Sequence, residues 1–582
     1  MLSHNWRDEV WSSLDREWDV IVVGGGITGA GILREATRLG LRTLLVEQQD
    51  FSWGTSSRSS KLVHGGIRYL KEGKIFLTLA SVRERQRLLK EGPGLIEPLG
   101  FLLATYKGDF PGKWTYGAGL TVYDLLALQW SHTYYSAEDF QMLAPHITHE
   151  GLEGGWRYGD AQTDDARLVL RIIFEALNAG GTALNYARAD HLVREEGQVR
   201  GILLRDLLAD RTTLVRGKVI VNATGAWADK LRAEVEAAPR IRPLRGSHLI
   251  FPAWRLPVAQ AISFLHPVDR RPVFIFPWES ITLVGTTDVD HEQPLNGEPR
   301  ITPEEVAYLM QVVEAEFPAL HLTLDDVIST FAGVRPVIGT GREDPSKESR
   351  DHVVWEEDGL LTVTGGKLTT FRVIALDALK EVRDRLPEMP EPNEDQRVLD
   401  EVRLSPTEAP ELHAAERERL LGRYGAATGE LVAAAEPGEL RALSGTEILW
   451  AELRWAARAE GVVHLDDLLL RRTRLGLLLP EGGAELLPRI RTLCQAELGW
   501  SDERWEQEAA AYRELWRCCY SLPPQESIPD WKSPLFHALE RRAEALPRRR
   551  RKIIAGSTVG AALVGLGLLA GVLYWQSRQQ DS

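Results

Sequence analysis

The sequence predicts an α/β fold that contains a mixed-sheet domain, followed by a helical C-terminal domain and one C-terminal transmembrane helix. Three observations support this prediction. A pattern of strand, glycine turn, helix and strand fills residues 19–47, a segment rich in proline and glutamate precedes helical sequence, and residues 553–575 carry no charge. A chain of 582 residues is long enough for about three domains.

The first pattern is that of a dinucleotide-binding, Rossmann-type unit. Residues 19–23, DVIVV, predict a strand buried on both faces, and a GxGxxG turn leads from it into a helix whose free N–H groups can bind phosphate. The glycines are Gly24, Gly26 and Gly29. Glu47 ends the second strand, where a carboxylate accepts hydrogen bonds from both ribose hydroxyls and disfavours NADP. These residues leave open whether the dinucleotide is FAD or NAD, and a purely structural turn is the alternative.

A polar loop follows Glu47 directly. Residues 50–70, DFSWGTSSRSSKLVHGGIRYL, are rich in serine, glycine and basic side chains and show no helical or strand period until their end. A solvent-facing loop is the alternative, but a loop at this point of the fold lies beside the cofactor. We expect its hydroxyl groups to bind the cofactor, and we treat its imidazole, guanidinium and phenol groups together as a candidate site. The first set is Thr55, Ser56 and Ser60, and the second is His64, Arg68 and Tyr69.

Small residues end two further strand patterns. Residues 218–221 predict a buried strand, and the NATG sequence after it lets a ligand approach the edge of the sheet. Residues 240–295 are rich in strand patterns and predict a mixed sheet over the substrate side. The sequence GGKLTT at 365–370 then predicts a second glycine turn into a helix, which is another anion-binding point. We expect cofactor contacts from Ala223, Gly225, Gly366 and Leu368.

The overall charge limits the classes of ligand. A formal net charge of −14 argues against a nucleic-acid partner, so an anionic substrate requires a local cluster of cations. Arg335 in the rigid sequence GVRP, Arg350 and Lys367 are candidates for that cluster. The three cysteines have no metal-ligand spacing and form no disulfide framework, so no metal is expected and a reducing compartment fits.

The second half of the chain divides into a linker, a helical domain and a membrane segment. We predict an oxidoreductase domain at 18–386, a linker at 387–400, a helical domain at 401–546 and a transmembrane helix at 553–575. No catalytic set stands out in the helical domain, which predicts a support or docking role.

The last segment has the properties of a membrane anchor. About 23 residues at roughly 1.5 Å each span a bilayer, and the five cations at 548–552 keep the preceding chain in the cytoplasm. Gly556 with Gly560, and Gly567 with Gly571, have a spacing that allows helices to pair, and so a homodimer. A buried helix is the alternative for the segment, and a glycine-rich span without pairing is the alternative for the spacing.

Six ordered motifs resemble those of the FAD-dependent, quinone-linked glycerol-3-phosphate dehydrogenases. They are the glycine turn, TSSRSSKLVHGGIRYL, NATGAW, GTTD, GVRP and GGKLTTFR, and the resemblance covers residues 18–385 closely and the segment 447–476 more loosely. It implies FAD rather than NAD, oxidation of sn-glycerol 3-phosphate to dihydroxyacetone phosphate by hydride transfer to the flavin, and transfer of the electrons to a membrane quinone in the lipid bilayer.

The same resemblance implies a substrate pocket. Its members are Arg68, Tyr69, Arg335, Arg350, Lys367 and Thr369. A phosphate dianion needs several cationic donors, and the fork of an arginine suits its oxygens. A base must take the hydroxyl proton, and since arginine stays protonated, His64, Lys367 and a bound water remain open for that role.

Two features depart from the family pattern. Trp53 stands where the family has a small residue, and a spanning tail is not typical of bacterial members. The tail favours a quinone over oxygen as electron acceptor, because an anchor keeps the flavin beside a lipid-soluble acceptor. A flavin oxidase of amines or other hydroxy acids and a non-catalytic flavoprotein are the competing hypotheses.

Overall fold

The computed structural model describes residues 2, 6–66, 75–109, 112–127, 130–339, 351–393, 395–405, 407 and 409–535. Four predicted features lie outside the described residues: Arg68, Tyr69, Arg350 and the segment 553–575.

The strands are numbered in chain order. They are β1 Trp18–Val23, β2 Thr43–Val46, β3 Leu62–Val63, β4 Ile96–Tyr106, β5 Thr133–Ser136, β6 Leu152–Thr163, β7 Thr182–Leu184, β8 Ala187–Glu195, β9 Gln198–Asp206, β10 Arg211–Asn222, β11 Ile241–Pro252, β12 Ala261–Leu265, β13 Pro272–Trp278, β14 Ile281–Gly285, β15 Val289–Asp290, β16 Ser329–Ile338, β17 Val353–Glu357 and β18 Leu360–Thr364.

The α-helices are numbered in the same way. They are α1 Trp6–Ser12, α2 Ile27–Arg38, α3 Ile75–Glu91, α4 Lys113–Ala127, α5 Ala137–Leu143, α6 Asp165–Asn178, α7 Ala228–Arg232, α8 Pro303–Glu316, α9 Phe371–Glu381, α10 Ala414–Tyr424, α11 Thr428–Ala434, α12 Trp450–Ala459, α13 Leu475–Leu478, α14 Leu487–Cys494 and α15 Asp502–Cys519. A π-helical segment, Asp467–Arg472, precedes α13.

The first sheet carries the glycine turn. Its strand order is β17-β18-β10-β1-β2-β7, and β1, β2, β10 and β18 run parallel to one another. The apolar runs of β1 and β2 are buried at every position, because helices α2, α6 and α9 cover this sheet. Parallel strands end at the same edge, so the segments after β1, β10 and β18 meet there.

The second sheet is mixed and carries the predicted substrate side. Its strand order is β15-β11-β14-β13-β12-β4-β6-β3, with β16 paired antiparallel to β11. β11 and β16 bring His248 opposite Phe331 and Leu244 opposite Arg335. β3 pairs with β6, so the polar loop that ends in β3 joins the edge of this sheet.

The helices after residue 409 form their own apolar clusters and also pack onto the second sheet. The preceding proline-rich segment is packed rather than loose at its end, because Val398 and Leu399 are buried in the core of the first sheet. This architecture agrees with the predicted α/β fold, mixed sheet and helical C-terminal region.

No helix within the described residues is long and apolar enough to cross a membrane. The predicted anchor at 553–575 falls outside them and stays a prediction.

Candidate functional site

The glycine turn after β1 is closed against backbone on both sides. A Cβ atom on Gly29 would lie 1.9 Å from the carbonyl oxygen of Gly24, and one on Gly24 would lie 2.6 Å from that of Ala223. Gly24 also has a φ of +114°, which L side chains rarely adopt. The start of α2 therefore brings its backbone close to the strand edge without intervening side chains. A turn that binds a pyrophosphate requires this arrangement.

Glu47 lies beside this turn, as predicted from its position after β2. Its carboxylate accepts hydrogen bonds from the backbone N–H groups of Gly25 at 2.7 Å and Gln49 at 2.8 Å. Burial raises the pKa of Glu47, and the hydrogen bond from Gly25 opposes that shift. The carboxylate is therefore held at the edge where the ribose of a dinucleotide lies in this fold.

The hydroxyl residues of the polar loop tie the two sheets together. The Oγ atom of Ser56 accepts a hydrogen bond from the N–H group of Ile27, at 2.9 Å, in the first turn of α2. The hydroxyl of Thr55 donates to the carbonyl of Val334 on β16 at 2.5 Å. The loop thus runs from the glycine turn to the second sheet.

The other predicted cofactor residues lie at the same strand edge. Ala223 follows β10, and its N–H group donates to the carbonyl of Val23 at 2.9 Å. Gly225 and Gly366 have φ values of +60° and +75°. The side chain of Leu368 packs against the core of the first sheet, so only its backbone is free to face a ligand.

Arg335 points across the face of β11. Its guanidinium lies 3.1 Å from Oδ1 of Asp288 and 3.2 Å from Oγ1 of Thr286, to which it donates. The guanidinium lies over Gly246, where a Cβ would lie 2.4 Å from Nη2 of Arg335, so a larger residue there would displace the arginine. The arginine is thereby oriented along the sheet at the end nearest the polar loop.

His248 is a residue of this site that the sequence patterns did not single out. Its Nε2 atom lies 2.9 Å from Oγ of Ser60, and its ring stacks on Phe331 with centroids 4.4 Å apart. Burial, together with the charges of Arg335 and Lys61, lowers the pKa of His248 well below 6.5. The imidazole is therefore neutral at physiological pH. A lone histidine in a strand pattern carries no signal for this role, because Ser60 lies 188 residues away in the chain.

A second cluster surrounds the residues after β3. Oδ1 of Asp160 accepts hydrogen bonds from the N–H group of Gly65 at 3.0 Å and from Arg85 at 2.8 Å. The hydroxyl of Thr369 lies 3.4 Å from the carbonyl of His64 and donates to it. Burial raises the pKa of Asp160, while the charges of Arg85 and Lys367 oppose the rise. The structure therefore brings His64, Thr369 and Lys367 to one place, around a carboxylate that the sequence analysis did not select.

Trp53, the departure from the family pattern, packs within the polar loop. Its ring lies 5.8 Å from that of Trp227, and the guanidinium of Arg58 lies 5.0 Å over its centroid. The indole of Trp53 is thus packed between Arg58 of the polar loop and Trp227, which follows β10.

Comparison with known proteins now identifies the family. Residues 19–372 match the model of the FAD dependent oxidoreductases, which covers more than half of the chain. The chain belongs to this family. Residues 389–505 of this FAD-dependent oxidoreductase match the C-terminal domain of alpha-glycerophosphate oxidase. The predicted cofactor, FAD, is confirmed, and the closed glycine turn and the hydroxyl-rich loop fit it.

Named relatives agree with the resemblance seen in the motifs. The FAD-dependent oxidoreductase is 38% identical over 399 residues to the aerobic glycerol-3-phosphate dehydrogenase of Bacillus subtilis, an alignment that covers 67% of this chain and 72% of that protein. A solved structure of the glycerol-3-phosphate dehydrogenase from Bacillus halodurans complexed with FAD has a TM-score of 0.69 at 29% identity, covering 89% of this chain and 98% of that one. The L-alpha-glycerophosphate oxidase of Mycoplasma pneumoniae with FAD bound shares the fold, with a TM-score of 0.52, 18% identity, and coverage of 65% and 96%.

Proposed function

We propose that this chain oxidises sn-glycerol 3-phosphate to dihydroxyacetone phosphate and passes the electrons through FAD to a membrane quinone. The observation that carries the proposal is that Arg335, His248 and Ser60 lie together where the polar loop contacts the second sheet. The named activity of the relatives supports the substrate.

The cations of the site suit a phosphorylated substrate. Arg335 is held by Asp288 and Thr286 on one side, which fixes the direction of its planar fork. Lys367 contributes charge near Asp160. Since the whole chain carries a net charge of −14, these residues must supply the local attraction for a dianion. We propose that Arg68, Tyr69 and Arg350 complete the pocket.

Oxidation of the secondary alcohol removes a hydride from carbon and a proton from oxygen. FAD supplies the hydride acceptor when it is bound. The chain must supply the proton acceptor, and a guanidinium such as that of Arg335 stays protonated. The neutral imidazole of His248 meets the requirement, so we add it to His64, Lys367 and a bound water.

We propose that the electrons leave at a membrane. The helix α4 has an exposed apolar face in which Trp114 is 84% and Leu125 is 56% exposed, and Trp130 just beyond it is 69% exposed. Such an exposed apolar face is typical of contact with lipid or another protein. Together with the predicted anchor at 553–575, it supports a bilayer partner, with the oxidoreductase domain on the cytoplasmic side and a homodimer through the paired glycines.

The test is an anaerobic half-reaction. Detergent-purified protein is mixed with glycerol 3-phosphate while the flavin absorbance is recorded, and a soluble quinone analogue is then added. We expect the flavin to bleach and to recover rapidly with quinone but slowly in air. A flavin-loaded protein that does not bleach would refute the substrate, and rapid recovery in air would assign an oxidase.

The same assay tests the competing substrates. A hydroxy acid without phosphate and a primary amine are offered in place of glycerol 3-phosphate. Bleaching by either at lower concentration than by glycerol 3-phosphate would assign that class of substrate instead. Membrane attachment is tested separately by comparing the full chain with a chain ending at residue 546, and we expect only the full chain to resist extraction at alkaline pH.

A further inference from the structure

The C-terminal sequence RRTRLG contributes its arginines to the loop that we assign to the flavin. Arg471, Arg472 and Arg474, here called the arginine cluster, are all buried. The sequence pattern of this region predicted only a support or docking role. Each arginine of the cluster has a partner in residues 50–61, here called the 50–61 segment, which contains Thr55, Ser56 and Ser60.

The first contact is to Asp50, which opens this segment. Arg472 donates to both carboxylate oxygens of Asp50, at 2.5 and 2.8 Å, and Nε of Arg471 donates to Oδ2 at 2.7 Å. Although burial alone raises the pKa of Asp50, the two arginines outweigh it and lower the pKa to about 2. The carboxylate is therefore charged and held by a bidentate pair, which is directional as well as strong.

The second contact is to the backbone of Ser57. Arg474 donates to the carbonyl of Ser57 at 2.6 Å and to Oδ1 of Asp165 at 3.0 Å. The buried ammonium of Lys61 donates to the same two acceptors, at 3.2 and 2.9 Å. Burial and the charge of Arg474 lower the pKa of Lys61 to about 8. The opposite carboxylate oxygen of Asp165 accepts from the backbone and side chain of Ser59.

A third contact comes from the residue after α15. The hydroxyl of Tyr520 accepts from Arg58 at 3.2 and 3.3 Å, and Glu298 contacts both of them. The segment is therefore held at Asp50, Ser57 and Arg58 by side chains that lie more than 400 residues later in the chain. These contacts reach the backbone and the charged groups around the predicted flavin hydroxyls rather than a remote surface.

We propose that Arg471, Arg472 and Arg474 are positioning residues for FAD: they hold the 50–61 segment in the shape that binds the flavin, so the helical C-terminal region sets FAD affinity. This inference rests on the proposed flavin site. A short polar loop without these contacts would have to be ordered by the cofactor itself, and that ordering lowers affinity.

The test compares two charge-conserving substitutions with a matched control. In R472K and R474K the lysine keeps the charge but loses the fork. The control is R454K, because Arg454 is also a C-terminal arginine paired bidentately, with Glu439 at 2.7 and 2.8 Å, yet its pair lies within the helical region. Each apoprotein is titrated with FAD by flavin fluorescence, and hydrogen exchange of the amides of residues 50–61 is measured without FAD.

We expect R472K and R474K to raise the FAD dissociation constant by about tenfold or more, as loss of a charged hydrogen bond does, and to speed exchange in the 50–61 segment. R454K should change neither, although its melting temperature falls comparably. At saturating FAD, the KM for glycerol 3-phosphate should stay at the wild-type value in R474K.

Several outcomes would overturn the inference. FAD affinity in R472K and R474K equal to that of R454K would mean that the cluster stabilises the fold only. If R472K does not fold, R474K decides alone, because it alters a contact to a backbone carbonyl and leaves Asp50 paired. A wild-type apoprotein that fails to bind FAD would instead refute the proposed flavin site.

Discussion

The imidazole of His248 and the hydroxyl of Ser60 lie 2.9 Å apart, and this contact joins the second sheet to the polar loop that follows the dinucleotide unit. The contact lies near Arg335. In the proposed function, the alcohol, the flavin and the proton acceptor meet here.

The glycine turn should not tolerate a methyl group at Gly29. In G29A the new Cβ would lie 1.9 Å from a backbone oxygen that cannot rotate away. Overpacking of this kind costs about 1–3 kcal/mol, so FAD affinity should fall about tenfold to a hundredfold. Flavin titration of the apoprotein measures it. G119A is the control, since a Cβ at Gly119 meets nothing within 4 Å. Unchanged flavin affinity in G29A would contradict the role of the glycine turn in binding FAD.

Arg335 should affect substrate more than flavin. R335K keeps a positive charge but loses the planar fork, so we expect kcat/KM for glycerol 3-phosphate to fall by about tenfold or more while FAD stays bound. Steady-state kinetics with a quinone analogue measure the change. R255K is matched to it, because Arg255 pairs bidentately with Asp326 outside the site, at 2.5 and 2.8 Å. An equal loss in both variants would argue against a role in binding.

Asp160 should position the residues after β3. D160N keeps the shape of the side chain but removes the charge that Arg85 faces at 2.8 Å. Loss of a charged hydrogen bond costs about 1.5–3 kcal/mol, so kcat/KM should fall about tenfold with little change in FAD affinity. D124N serves as the control, since Asp124 on α4 is also buried but binds Ser131 and His132, which lie beyond the end of that helix. A fall in flavin affinity alone would disagree with this placement.

The stability of the apoprotein should depend on pH through His248. Its pKa is below 6.5 in the folded state, so the unfolded state binds the proton more readily, and stability present above pH 6.5 is lost as the pH falls. H248N should flatten the dependence of the free energy of unfolding on pH below pH 6.5. Urea unfolding at a series of pH values measures it.

The dependence of stability on pH through His464 should have the opposite sign to that through His248. Burial lowers the pKa of His464, but the hydrogen bond with Glu508 at 3.0 Å and the charges of Asp467, Glu508 and Asp466 together outweigh this, so the pKa is raised. Its stabilisation is therefore present below pH 6.5 and lost as the pH rises. H464N should therefore reduce the loss of stability as the pH rises above 6.5, whereas H248N acts below pH 6.5. Parallel changes in both variants would refute the assignment.

The local patterns of the chain were sufficient for the dinucleotide unit. The run before Gly24, the GxGxxG spacing and Glu47 each act within a few residues, and the structure has the strand, turn, helix and strand in that order. The helix Pro303–Glu316 also follows from its local sequence, because its start carries a capping box from Thr302 and Glu305.

The rest of the site depends on contacts between distant parts of the chain. His248 and Asp160 lie in strands whose apolar patterns show only burial, and nothing local pairs either with its partner in the polar loop. The same holds for the arginine cluster. Its local sequence is typical of a basic stretch of a helix, but Arg471 and Arg472 are buried against Asp50, which lies 421 and 422 residues away.

The sequence by itself therefore determined the class of fold, the flavin turn and the family, because these are written in short-range periodicity and in motifs of adjacent residues. Only the tertiary structure decided which polar side chains face one another. A buried charge needs a partner of opposite charge wherever the chain brings one, and sheet pairing and packing of the C-terminal helices choose that partner.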